Sequence, residues 1–240
     1  MKALIGAILV VLCMVGRGEP VSVWAGEAAP AAEHLSHSGS VADLPSSTSE
    51  DGKRYSIFMH GAAGVFLVAI GLLAFVGGFK HPGLAWVRNL WPFLWVALGL
   101  FLFIRSDPEA WPVGPAGFWE SFTIPTAHEV IQHKILSFIV VLIGVFELLM
   151  AKQALLHPGW AYFLPTLWFA AALTLIVHRH LGHPHMDLAN MQHVSWGIQS
   201  LLLATVRLLE DSKVLRWNHN AGIWTLFLAV LGMQIAIYTE

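Results

Sequence analysis

Thirteen histidines stand against thirteen lysines and arginines in this 240-residue chain. Histidine is ordinarily much the rarer of the two groups, so the sequence asks for imidazole. That ring is largely neutral near pH 7 and offers a nitrogen lone pair, which makes it both a common metal ligand and a pH-sensitive group. The densest patch is His178-Arg179-His180-Leu181-Gly182-His183-Pro184-His185-Met186-Asp187, with Met191 and His193 shortly after it. Met59 likewise precedes His60. Imidazole suits copper, zinc, iron and nickel, while a soft thioether beside it tilts the preference toward Cu(I). The candidate metal ligands are therefore His60, His133, His178, His180, His183, His185, His193, Met186 and Met191. Glu129 lies four residues before His133, on the same face of a helix, and is the candidate to orient that ring. No nucleophile paired with a base, no phosphate loop and no nucleotide fingerprint is present, so the expectation is a binding protein without catalysis.

These residues sit in a chain built for lipid. Hydrophobic residues make up 56% and charged residues 12%, with a mean hydropathy of +0.65. A soluble domain carries about 25% charged residues. A net charge of −2 suggests no nucleic-acid partner. Six apolar runs are each long enough for a helix across a hydrocarbon core of about 30 Å. They lie near Ile57–Phe79, Leu84–Ile104, Val130–Ala151, Trp160–Val177, Met191–Leu209 and Ala221–Tyr238. Breakers fall between them: His81-Pro82-Gly83, Asp107-Pro108, His157-Pro158-Gly159 and Gly182-His183-Pro184. Pro92 and Pro165 are read near helix starts, where a missing N–H costs little. Backbone groups in lipid must be satisfied internally. The fold class is all-α, a polytopic membrane bundle of about six transmembrane helices. Most of the eleven tryptophans are read as an interfacial belt.

The N-terminus reads as a secretory signal over residues 1–25: a positive start at Lys2, an apolar stretch from Ala3 to Gly16, and small residues at Val23 and Ala25. Cys13, the single cysteine, follows Leu12 rather than the small residue that lipid processing wants. Residues 26–54 read as a polar, disordered exported tail, and 55–240 as the membrane domain. An exported tail puts the loops near 80–89, 152–159 and 210–220 in the cytoplasm of a bacterial inner-membrane protein. Lys80, Arg88, Lys152, Arg207, Lys213 and Arg216 count on that side.

With that topology His34, His37, His60, His128, His133, His178, His180, His183, His185 and His193 fall on the exported face, and His81, His157 and His219 on the other. One histidine at a helix end is most simply an amphipathic interfacial residue; ten of thirteen on one face ask for more. Four of them, His60, His133, His178 and His193, belong to different helices at similar depth. Each heads a stripe of small residues at helical spacing: Gly64 and Gly71, Ser137 and Gly144, Thr174 and Ala171, Gly197 and Ala204. Small residues on a membrane helix mark close helix packing, so the four imidazoles are expected to point into the bundle. Asp107, Glu109 and Glu120 read as a solvated acidic edge, and Met150 and Met233 as packing or lipid-facing residues.

The stretch Asp107-Pro108-Glu109-Ala110-Trp111-Pro112-Val113-Gly114-Pro115 with Phe118, the opening Glu129-Val130-Ile131-Gln132-His133-Lys134, the pair His178 and His180, and Met191-Gln192-His193 follow one another in order. Together they resemble bacterial copper resistance protein D-like membrane proteins over roughly residues 55 to 240. The resemblance implies periplasmic copper handling or import, with His133, His178, His180 and His193 at matching positions and a periplasmic copper carrier as partner. The chain departs from that pattern in having six spans rather than eight, and its 240 residues include no copper-binding β-domain. Three functional readings follow: a protein that handles copper at the periplasmic face; a b-type haem electron-transfer protein with axial ligands drawn from His60, His133, His178 and His193; and a non-metal assembly subunit of a membrane complex.

Overall fold

Among the described residues, six helices form where the sequence places six apolar runs. The computed structural model describes residues 50–79, 81–155, 157, 159–178, 187–215 and 222–239. All regular structure among them is helical: α1 (Glu50–Gly77), α2 (Ala85–Arg105), α3 (Ala127–Ala151), α4 (Trp160–Val177), α5 (Asp187–Asp211) and α6 (Ile223–Ala236), with short 3-10 turns at Pro82–Leu84 and Glu120–Phe122. Residues 1–54 and 55–240 separate as two units. The first is described only from residue 50, so the expected signal and most of the expected tail, with His34 and His37, lie outside the described residues. The second is the membrane domain.

The helix bounds show what hydropathy reads and what it misses. α4 has the expected bounds and α2 is displaced by one residue. α1 begins at Glu50 rather than Ile57, α3 at Ala127 rather than Val130, and α5 at Asp187 rather than Met191. Polar residues continue a helix about as well as apolar ones, so a boundary drawn on apolarity starts too late. Pro92 and Pro165 lie beyond the first turn of α2 and α4, fully buried, rather than at the helix starts. Each leaves the carbonyl four residues earlier without its helical partner.

Gly52–Gly77, Pro82–Arg105 and Ala127–Ala151 are long and apolar enough to cross a membrane; the apolar stretches Tyr162–Val177 and Ile223–Ala236 are shorter. Val65, Leu72, Phe93, Leu100, Phe138 and Leu202 all face outward, as side chains against lipid do.

Lipid tails are as apolar as leucine, so helices associate in a bilayer by close packing rather than by hydrophobic exclusion. The small-residue stripes supply that packing. A Cβ on Gly64 would lie 2.3 Å from Ala236 N, and one on Gly232 2.6 Å from Val68 N, so α1 and α6 cross almost backbone to backbone. Gly144 similarly admits Trp95 and Val96 of α2 at 2.7 Å, and Gly197 admits Ala172 and Ile176 of α4. Ser137 and Ala204 are fully buried and Ala171 is buried. Successive helices thus pair α2 with α3, α3 with α4, α4 with α5 and α5 with α6, while α6 returns to α1. This closure draws the four histidine-bearing helices together.

Candidate metal centre

Four imidazoles from α1, α3, α5 and the end of α4 form a chain of adjacent rings. His133 and His178 have ring centroids 4.8 Å apart, His178 and His193 4.7 Å, and His193 and His60 5.2 Å. His178 and His193 are buried, each 3% exposed. The expectation that these four share a depth and point inward is what the packing of their helices produces.

Each ring is fixed through the same nitrogen. His60 Nδ1 lies 2.9 Å from Ser56 O, and His193 Nδ1 lies 2.7 Å from Ala189 O. His133 Nδ1 lies 2.7 Å from Asp107 Oδ1, and His178 Nδ1 2.7 Å from Gln132 Oε1. Backbone carbonyls and carboxylates only accept hydrogen bonds, so Nδ1 carries the proton in His60, His193 and His133. The amide oxygen of Gln132 assigns the same tautomer to His178. In a neutral ring so anchored, Nε2 carries the lone pair. Metal-ligating histidines almost always donate their other N–H to a carbonyl or carboxylate in this way. His81 and His157, both exposed, show the opposite arrangement: their Nδ1 atoms accept from Gly83 N at 3.2 Å and Gly159 N at 3.0 Å. Those two close the turns of their His-Pro-Gly sequences. His219 lies outside the described residues.

His60 and His193 carry the sharpest geometry. Their Nε2 atoms face each other at 3.3 Å. With both Nδ1 atoms donating, two neutral rings set lone pair against lone pair, an arrangement that a proton or a metal ion between them would relieve. Two metal–nitrogen bonds of about 2.0–2.1 Å meeting at a tetrahedral angle place their nitrogens about 3.3 Å apart. Tyr238 stacks over His60 at 4.1 Å, and Trp196 packs against both rings at 5.7 and 5.0 Å. Among the described residues, no three or more His, Cys, Asp or Glu side chains stand in a geometry that could hold a metal ion. The arrangement is one pair at ligand spacing with two further imidazoles beside it.

The other expected residues fall as follows. Met191 is on the exposed side of α5, 68% exposed, and is not brought to the rings. His180, His183, His185 and Met186 lie outside the described residues. Glu129 is buried one turn before His133, with Oε1 3.7 Å from His128 Nε2. The carboxylate bonded to His133 is instead Asp107.

Asp107 corrects the reading of a solvated acidic edge. It is 7% exposed and joins the start of the α2–α3 loop to α3. Ser106 Oγ donates to its Oδ2 at 2.6 Å, and Lys134 Nζ stands 3.8 Å from the same oxygen. Burial works against ionisation, but His133, Ser106 and Lys134 together outweigh it and hold the carboxyl below its ordinary range. Glu109 is half-buried and accepts from Thr126 Oγ1 at 2.9 Å. Burial raises its pKa, helped by the charges of Asp107 and Glu129 against the Thr126 bond. Glu120 is exposed and accepts from Gly117 N.

Sequence reasoning also missed Gln132, Tyr238 and Trp196 around the rings. The tryptophan belt was only partly right. Trp86, Trp111, Trp119 and Trp160 are exposed, but Trp91, Trp95, Trp168, Trp196 and Trp224 are buried in the bundle. Arg207, counted with the charges of a loop and helix end, is buried and paired with Glu147 at 3.0 Å. Comparison with protein-family models, with curated proteins and with solved structures gave no match for this chain.

Proposed function

We propose that this membrane protein binds copper through the imidazoles of His60 and His193, with His178 and His133 adjoining, at the periplasmic face. The observation that carries this reading is the facing pair of Nε2 atoms at 3.3 Å, each on a ring whose Nδ1 is tied to a backbone carbonyl. The adjoining rings are held by Asp107 and Gln132. Copper is favoured over harder ions because the donors are imidazoles, and because the connection after His178 adds His180, His183, His185 and the thioether of Met186 by sequence. Binding and delivery at a face need no catalytic group, and a periplasmic copper carrier is the fitting partner.

For the His60–His193 pair the haem reading fits less well. Bonds of about 2.0–2.1 Å on opposite sides of an iron would hold two axial nitrogens about 4 Å apart with a macrocycle between them. Here the nitrogens are closer, and Tyr238 and Trp196 occupy the space beside the rings. The test is to titrate the purified full chain with Cu(I) under reducing conditions and to record its absorption spectrum. Copper retained by the wild type and lost in His60→Ala and His193→Ala supports the proposal. A Soret band moves the assignment to haem, and an absence of both copper and Soret band favours the assembly-subunit reading.

A further inference from the structure

Beyond the histidines the interior of the bundle changes its chemistry. One face of α3 carries His133, Ser137, Gly144 and Glu147, and one face of α5 carries His193, Ser200 and Arg207. Each charged residue lies fourteen positions past its histidine, roughly 21 Å along a helix axis. At that far end Arg207 Nη1 lies 3.0 Å from Glu147 Oε1, and its Nε donates to Asp211 Oδ2 at 2.8 Å. The guanidinium also covers the Trp224 ring at 4.4 Å.

Tryptophans pack around that far end. Trp95 stands level with Gly144, whose Cβ would meet Trp95 Cβ at 2.7 Å. Trp168 meets Trp95 edge-on at 5.0 Å, Trp224 meets Trp168 at 6.4 Å, and Trp91 meets Trp224 at 5.8 Å. Trp95 and Trp168 are 2% and 3% exposed, and their Nε1 atoms have no hydrogen-bond partner among the described residues. An indole N–H and a guanidinium are donors only, with no lone pair for a metal ion. At the far end the Arg207 guanidinium is shared between Glu147 and Asp211, so the carboxylates there are already engaged by a cation.

We propose that the histidine cluster is a closed-ended seat: metal enters and leaves by the histidine end, and is handed on at that face rather than conducted across the bilayer. This rests on the copper-binding reading above and adds that the far end of the bundle gives the metal no exit. The full chain is reconstituted in phosphatidylcholine vesicles with a chromophoric Cu(I) chelator trapped inside, and Cu(I) is added outside under reducing conditions. Protein-bound copper is measured on the same vesicles after external metal is removed. The expected result is bound copper that falls at least tenfold in affinity in His193→Ala, with His60→Ala as second variant, while the trapped chelator colours no faster than in protein-free vesicles. Faster colouring in vesicles that hold copper overturns the closed seat. Wild-type vesicles that hold no copper overturn the reading beneath it and the inference with it, so the two failures are told apart.

Discussion

Replacing Asp107 by asparagine tests whether His133 serves the metal centre. The substitution keeps shape and removes one charge. Asp107 Oδ1 receives the His133 Nδ1 proton at 2.7 Å, while Oδ2 receives the Ser106 hydroxyl at 2.6 Å and faces Lys134 Nζ at 3.8 Å. An amide satisfies these partners in neither orientation. With its oxygen on His133, the new NH2 group can donate to the Ser106 hydroxyl once that turns, but it faces the Lys134 ammonium, which cannot accept. Flipped, the NH2 group meets Nδ1 and drives the proton to Nε2, which removes the lone pair a metal would use. Loss of such a supporting partner commonly costs about 10–100-fold in metal affinity, or about 1.4–2.7 kcal/mol. Competition titration against a chromophoric Cu(I) chelator, on folded protein in detergent, reads this directly. We expect Asp107→Asn to weaken binding within that range and Glu129→Gln to weaken it less, because the Glu129 carboxylate reaches His128 at 3.7 Å. An affinity within twofold of wild type for both Asp107→Asn and His133→Ala refutes the reasoning and removes His133 from the site.

Exposed His81 and His157 provide the internal contrast: alanine at either should leave copper affinity unchanged in the same titration, since each caps a turn through an accepting Nδ1. Breaking the buried ion pair by Glu147→Ala should destabilise the bundle by at most about 3–5 kcal/mol, because Arg207 keeps Asp211 at 2.8 Å as its one remaining carboxylate. Thermal unfolding in detergent measures this, and the double change Glu147→Met with Arg207→Met should recover most of the loss. Gly64→Val should prevent α1 and α6 from closing, since even a Cβ there lies 2.3 Å from backbone. A monodisperse Gly64→Val protein with wild-type melting would contradict the packing. Asp107 also predicts an acid response. Its folded pKa lies below the ordinary 3.8, so its contribution is complete above that value and disappears as pH falls through the lower folded one. Melting between pH 5 and pH 2.5 should therefore fall more steeply for the wild type than for Asp107→Asn.

Much of the framework was legible because membrane helices announce themselves by long apolar runs, and because glycine, serine and alanine at spacings of four and seven mark packing faces. His60 with Gly64, His133 with Ser137 and Gly144, and His193 with Gly197 gave the facing of three helices before any contact was visible. Polar helix starts such as Glu50 were not legible from hydropathy. Asp107 was obscured because an acidic residue before proline in a loop looks solvated, and its bond to His133 spans twenty-six residues and two elements. The meeting of Glu147 with Arg207 had a signal that went unused: both continue the histidine stripes at heptad spacing. The buried tryptophans were misread because composition alone does not separate an interfacial indole from one packed on glycine in the bundle.

In the proposed site the imidazole Nε2 atoms of His60 and His193 hold copper. The most direct measurement is copper K-edge X-ray absorption of the purified, copper-loaded full chain. The expected spectrum has a nitrogen shell at about 2.0 Å with the outer scattering of at least two imidazoles, lost when His60 and His193 are both replaced by alanine. A sulfur-dominated shell, or an imidazole shell unchanged in that double variant, would contradict it.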